Sequence, residues 1–155
     1  MIGVNHSLRR IQRDTQGTSM VEFAIVTFVV ILFVCGIIDF SHAMYMRYVV
    51  GSASQAGARY SSTYRTDGTG KHISPSQLSP SIQDYVLSQY LNKFNLPYDA
   101  NPQVTVAGTG FTSGMSGDEV RVTVTATKSW FLISRLVPGI EDHTSLSSTT
   151  EVLLE

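Results

Sequence analysis

Hydrophobic and polar positions divide this chain into three regimes. From Phe23 to Ile38 the run FAIVTFVVILFVCGII carries no charge, and extended back to Thr18 its only charged side chain is Glu22. At ~1.5 Å per residue, residues 18–38 reach roughly 31 Å, close to the ~30 Å hydrocarbon thickness of a bilayer. Val, Ile and Phe surround the helix on all sides, whereas a core helix of a soluble protein gathers them into one stripe. The pattern predicts a transmembrane helix beginning at Thr18.

From Phe40 to Tyr64 the helical character continues, with Met44, Tyr48 and Gly51 or Ser52 three or four residues apart. Small residues then dominate: Gly51, Ser52, Ala53, Ser54, Ala56, Gly57 and Ala58. They permit close approach of a second helix or of this subunit's own sheet. Gly51 and Gly57 each cost roughly 0.8–1 kcal/mol of helix propensity relative to Ala, so a bend or local melting is expected there. Met44, Tyr45, Met46 and Tyr48 read equally as an interfacial aromatic belt or as core contacts.

The third regime alternates. Thr66-Asp67-Gly68-Thr69-Gly70 reads as a turn-rich linker. A second helix follows, with Ser79 or Ser81 as cap, Pro80 at the first helical position, and Ile82, Val86 and Tyr90 recurring every fourth residue until Asn95 and Pro97. Gln103-Val104-Thr105-Val106 predicts a short strand. Glu119 to Thr127 sets Val120, Val122, Val124 and Ala126 against Arg121, Thr123, Thr125 and Thr127, a period of two with one buried face. A last strand is expected within Thr144–Leu153, after apolar Trp130 to Ile133 and a turn at Leu136-Val137-Pro138-Gly139. The expected fold class is α+β: a long N-terminal transmembrane helix continuing into a small antiparallel-sheet domain with one additional helix. The expected boundaries are 1–17 for a basic leader, 18–38 for the span, 39–66 for the continued helix and 67–155 for the outer domain.

Charge gives the span a direction. The leader holds Arg9, Arg10 and Arg13 against Asp14, leaving eight bases and eleven acids from Thr18 onward. The positive-inside rule then puts the N-terminus in the cytoplasm and the C-terminal domain outside. With a net charge of -1 and 43% hydrophobic residues, the composition favours neither disorder nor a nucleic-acid partner. Cys35 is the single cysteine, which excludes an intramolecular disulfide and a multi-cysteine metal site. A secretory signal is the competing reading of the N-terminus, with a mature start near residue 52, although the apolar run is long for that purpose.

Glu22 is the anomaly, since a carboxylate toward the centre of a span costs on the order of 2.5–3.5 kcal/mol, and less near an end. A cut between Gly17 and Thr18 would give Thr18 an α-amino cation one helical turn from that acid, or within reach of a neighbouring subunit's acid. The first turn of a helix also favours negative charge. The alternative is an interfacial Glu22 with no special role.

These residues carry a resemblance. Gly17 before the scissile bond, Val21-Glu22-Phe23 after it, the apolar helix, Asp39-Phe40 and then Gln55-Ala56-Gly57-Ala58-Arg59-Tyr60 resemble the N-terminus of TadE-like minor pilins of the Tad, or Flp, branch of type IV pili. The resemblance implies a lollipop-shaped pilin and removal of Met1 to Gly17 by a membrane-embedded prepilin peptidase. It also implies a role for Glu22 and Phe23 in peptidase recognition and subunit docking. The implied partners are inner-membrane lipid, the peptidase, other Tad pilins and the assembly machinery. The implied setting is a bacterial inner membrane with a periplasmic domain, and pili used in adhesion and biofilm formation. The chain can alternatively be an unprocessed single-pass protein whose outer domain binds a partner or scaffolds a secretion complex.

Catalytic constellations are missing from the pattern. His6, His42, His72 and His143 are too scattered for a local metal motif, and Asp142-His143 has no Gly-x-Ser-x-Gly nucleophile turn to serve. No cofactor or metal is expected, and no enzymatic activity. Asn5-His6-Ser7 is a glycosylation sequon but falls in the leader. Residues 108–117 have the glycine density of a phosphate-cradling loop but lack its Gly-Lys-Ser/Thr and join two strands, so they read as a flexible hairpin loop, a first choice for exposed contacts.

Overall fold

The computed structural model describes residues 5–63, 65–136, 138–139 and 141–154, with residues 5–16 and 136 described by backbone alone. Two compact units divide the chain, Met1–Asp39 and Phe40–Glu155. One helix, α1, runs over Asn5–Ser62. The helical backbone thus begins ahead of the apolar stretch expected to span from Thr18. Helix nucleation is costly and propagation is not, so a segment without proline, joined to a strongly helical apolar run, is drawn into the helix. Tyr64, the last residue of the expected helical stretch, and Val137, within the expected turn, lie outside the described residues.

In the first unit the helix exposes its whole circumference: Phe23 (72%), Phe28 (62%), Phe33 (67%) and Ile37 (64%) point in different directions with nothing over them. Among the described residues this is the one helix long and apolar enough to cross a membrane.

In the second unit the same helix becomes one-sided. Met46, Val49, Val50, Ala53, Ser54, Ala58 and Ser61 are buried at three- and four-residue intervals, the period of a single helix face. That face lies on a three-stranded antiparallel sheet ordered β1-β2-β3, with β1 Gln103–Ala107, β2 Glu119–Ser129 and β3 His143–Leu153. Val104 pairs with Val124 and Val106 with Val122, and β3 runs the full length of β2 from Glu119↔Leu153 to Ser129↔His143. The alternation read from the sequence holds: Val120, Val122, Val124 and Ala126 are buried. The opposite face carries the Thr123–Thr149 hydroxyl pair at 2.9 Å and an exposed Arg121–Glu151 ion pair at 2.6 Å, the latter worth ~0–1 kcal/mol.

Gly57 decides how closely helix and sheet meet. A Cβ there would lie 2.8 Å from Val86 Cγ2 and 3.0 Å from Val122 Cγ1. No melting accompanies either Gly51 or Gly57, because α1 is unbroken through both. Tight packing, which outweighs their propensity cost, accounts for the glycine at 57. The small residues expected as a packing seam thus serve this subunit's own sheet at Ala53, Ser54, Gly57 and Ala58. Ser54 adds polar register, its hydroxyl 3.1 Å from Ser148 Oγ and 2.8 Å from Thr150 Oγ1. Of the aromatic and methionine group, Met46 is core, while Met44, Tyr45 and Tyr48 are exposed.

The second helix is irregular. It starts as α2, Ile82–Asp84, where the Ser81 hydroxyl accepts from the Asp84 amide at 3.1 Å, passes through a π-helical stretch at Tyr85–Tyr90 and ends in a 3₁₀ turn at Leu91–Lys93. Pro80 does not occupy its first position as the sequence suggested. It precedes the cap, after a cis Ser79-Pro80 bond, and its carbonyl accepts the Tyr60 hydroxyl at 2.8 Å. The extra residue of the π turn keeps Ile82, Val86 and Leu91 all buried, which a strict four-residue repeat from 82 through 90 would not.

The glycine-rich connection between β1 and β2 is not the plain hairpin loop expected. It folds into a short helix, α3 (Thr109–Ser113), with Gly110 buried under Leu154. Gly108 takes φ 114° where a Cβ would press 2.3 Å from the Glu119 carbonyl oxygen, a position open to glycine alone. A final short helix, α4 (Ile133–Leu136), precedes β3.

Candidate processing and assembly segment

The expected cleavage site lies within the helical backbone of α1. Gly17 and Thr18 are exposed, and a Cβ built on Gly17 meets nothing within 4 Å. A protease must draw its scissile peptide out of the helical hydrogen-bond ladder before the carbonyl can be attacked. Apart from proline, glycine is the residue that least resists this, being ~0.8–1 kcal/mol less helix-favouring than alanine. An uncovered Gly17 thus gives the bond both access and local weakness.

Glu22 stands one turn further on and is exposed, between Val21 (60% exposed) and Phe23 (72%). The helix therefore presents acid and aromatic ring to whatever surrounds this segment. An α-amino group created at Thr18 would be largely protonated near neutral pH, given an ordinary pKa of about 7.7–8.0, and four residues from Glu22 it falls at the spacing where helical side chains meet. Asp39, at the far end of the apolar run, is 2% exposed. The side chains of Arg9, Arg10 and Arg13 lie outside the described residues, so their placement rests on sequence.

A polar cluster that the sequence did not reveal sits where β2 ends and β3 begins. Ser129 Oγ donates to Asp99 Oδ2 and lies 3.1 Å from His143 Nδ1. Buried Lys128 donates to the Ser129 carbonyl and lies 4.8 Å from the Trp130 ring centroid. The Ser129 hydroxyl holds Asp99 below its ordinary carboxylate range, against some desolvation, with His143 and Lys128 adding attraction. Acid, serine and histidine look like catalytic parts, but their order is wrong. A nucleophile must give its proton to the histidine while the acid orients that histidine, whereas here serine gives its proton to the acid. The cluster ties the 98–100 turn to both strands. Register pairing of Ser129 with His143 was the available signal, but it needs the strand alignment first.

The fold and segment define a single-pass membrane protein with an α+β domain following its span. Residues 17–59 match the family model for TadE-like protein, so the resemblance read from the sequence is shown over that stretch. The matched stretch begins at Gly17 and ends at Arg59. No curated protein and no solved structure matches the chain.

Proposed function

We propose that the chain is a minor pilin, or pseudopilin, that is cut between Gly17 and Thr18 and then takes part in assembling or priming a Tad (Flp) pilus. The observation that carries this reading is the TadE-like match, which opens on the residue before the proposed cut and includes Glu22 and the apolar helix. In this reading the leader arginines keep the N-terminus in the cytoplasm, and residues 40–155 lie in the periplasm of a bacterial inner membrane. The new Thr18 amine neutralises Glu22, so that the helix moves from lipid into a bundle of pilin helices without stranding a charge. Adhesion and biofilm formation are the proposed uses of the pilus.

The test is the mass of the protein recovered from cells with an active or an inactivated prepilin peptidase. Loss of residues 1–17 only with the active enzyme is expected, and an intact N-terminus in both would end the processing claim. Glu22→Ala is expected to be cleaved normally yet to be absent from sheared pili; normal incorporation would end the docking claim. The unbroken helix through Gly17 favours a second reading, an unprocessed single-pass protein whose outer domain binds a partner. The same mass measurement separates the two.

A further inference from the structure

An open groove of ≈ 560 Å³ lies along α1 within the second unit, on a face other than the one packed on the sheet. It is lined by Ser52 and Ala56, four residues apart on one helix face, and by a tyrosine wall of Tyr48, Tyr60, Tyr85 and Tyr90. Gln55, Arg59 and Thr63 complete the lining. Among the described residues Ala56 is its single aliphatic side chain, and no carboxylate of theirs lines it.

This lining selects among occupants. The volume is within the ~300–1,000 Å³ of small-ligand clefts. A packing helix from another subunit would seek aliphatic surface, and the groove offers little beyond the methyl groups of Ala56 and Thr63. Tyrosine instead presents an apolar ring face and a hydrogen-bonding tip, which matches a ligand with C–H faces and a hydroxyl rim. The wall is also held in place before any ligand arrives. Tyr60 stacks on Tyr85 with ring centroids 4.2 Å apart and planes within 7°, takes the Arg65 guanidinium 4.3 Å from its centroid, and donates to the Pro80 carbonyl. Such preorganisation lowers the ordering cost of binding. Tyr48, at the other end, is 68% exposed and not committed to the core.

We propose that this groove binds a pyranose ring of a polysaccharide, stacked on Tyr48 and hydrogen-bonded by Gln55 and Arg59. With no lining acid to oppose it, Arg59 also accommodates the carboxylate of an acidic sugar. The site does not depend on cleavage at Gly17, and the processing experiment neither supports nor removes it.

The experiment titrates the full chain, held in phosphocholine micelles whose headgroups contain no sugar, with hexagalacturonate and with cellohexaose by calorimetry. Saturable binding of at least one is expected. Tyr48→Ala and Gln55→Ala should each weaken it ten-fold or more, while Phe131→Ala, an exposed ring outside the groove, leaves it unchanged. If the acidic hexamer is preferred, Arg59→Gln should erase the preference. Each variant is checked by circular dichroism, and Gln55→Asn gives a second, milder change should Gln55→Ala perturb the helix. The proposal is overturned if neither sugar binds, if the groove variants bind as the parent does, or if Tyr48→Ala alters only the oligomeric state in sedimentation, which would make the groove a protein interface.

Discussion

Single side chains in the outer domain have measurable duties. Tyr60 joins three elements through its ring contacts and its hydroxyl bond to Pro80. Tyr60→Phe removes only the hydrogen bond, so a loss of about 0.5–1.5 kcal/mol is expected, read as a lower thermal midpoint of the single Trp130 emission. Asp67 closes the turn between Thr66 and His72 by accepting from the Thr69 hydroxyl at 2.6 Å and from the Thr69 and Lys71 amides at 2.8 and 2.9 Å. These bonds, the Thr69 hydroxyl foremost, hold its carboxyl below the ordinary 3.8. A depressed native pKa means that the ionised form supports the turn above the unfolded value, and that this support is lost as pH falls through the lower native one. The Thr69 and Lys71 amide resonances should therefore titrate together with a midpoint below 3.8; a midpoint at or above it would contradict the bonding described. The Thr-Asp-Gly-Thr-Gly run already marks this turn in the sequence, whereas the Asp99–Ser129–His143 cluster joins residues from three distant segments and has no local signature.

Elements whose pattern repeats locally are legible, and those shaped by a neighbour are not. The valines of β2 declare a half-buried strand because every second residue meets α1, and the all-round apolar run declares a span because nothing among the described residues covers it. The π stretch at Tyr85–Tyr90 packs against β1 and the short α3 against β2 and Leu154, contacts that no window of sequence contains. Gly57 belongs to the same group: helix propensity alone expects weakness there, while the approach of Val86 and Val122 makes it a point of tightest packing. Gly57→Val should accordingly destabilise the outer domain by about 1–3 kcal/mol through overpacking, seen as a lower unfolding midpoint with the micelle-embedded helix content retained. An unchanged midpoint would mean that α1 does not sit against β2 as described.

At the scale of the whole molecule, the two units answer to different solvents, and the TadE-like match over residues 17–59 spans the join between them. The TadE-like similarity stays within that stretch while residues from 60 onward show only a fold class: in the proposed reading the first must satisfy lipid, a peptidase and other pilins, and the second only its own core. The unbroken run of α1 from Asn5 carries one more implication for that reading. Until Gly17 is cut, Arg9, Arg10 and Arg13 belong to the same rod as the span, and pulling the rod outward would drag three cations across hydrocarbon at ~2.5–3.5 kcal/mol each, roughly 8–10 kcal/mol together. The leader then works as a stopper as well as a signal. In that reading its removal lifts the barrier to leaving the membrane, and the lifting is irreversible because it is made by a single hydrolysed bond.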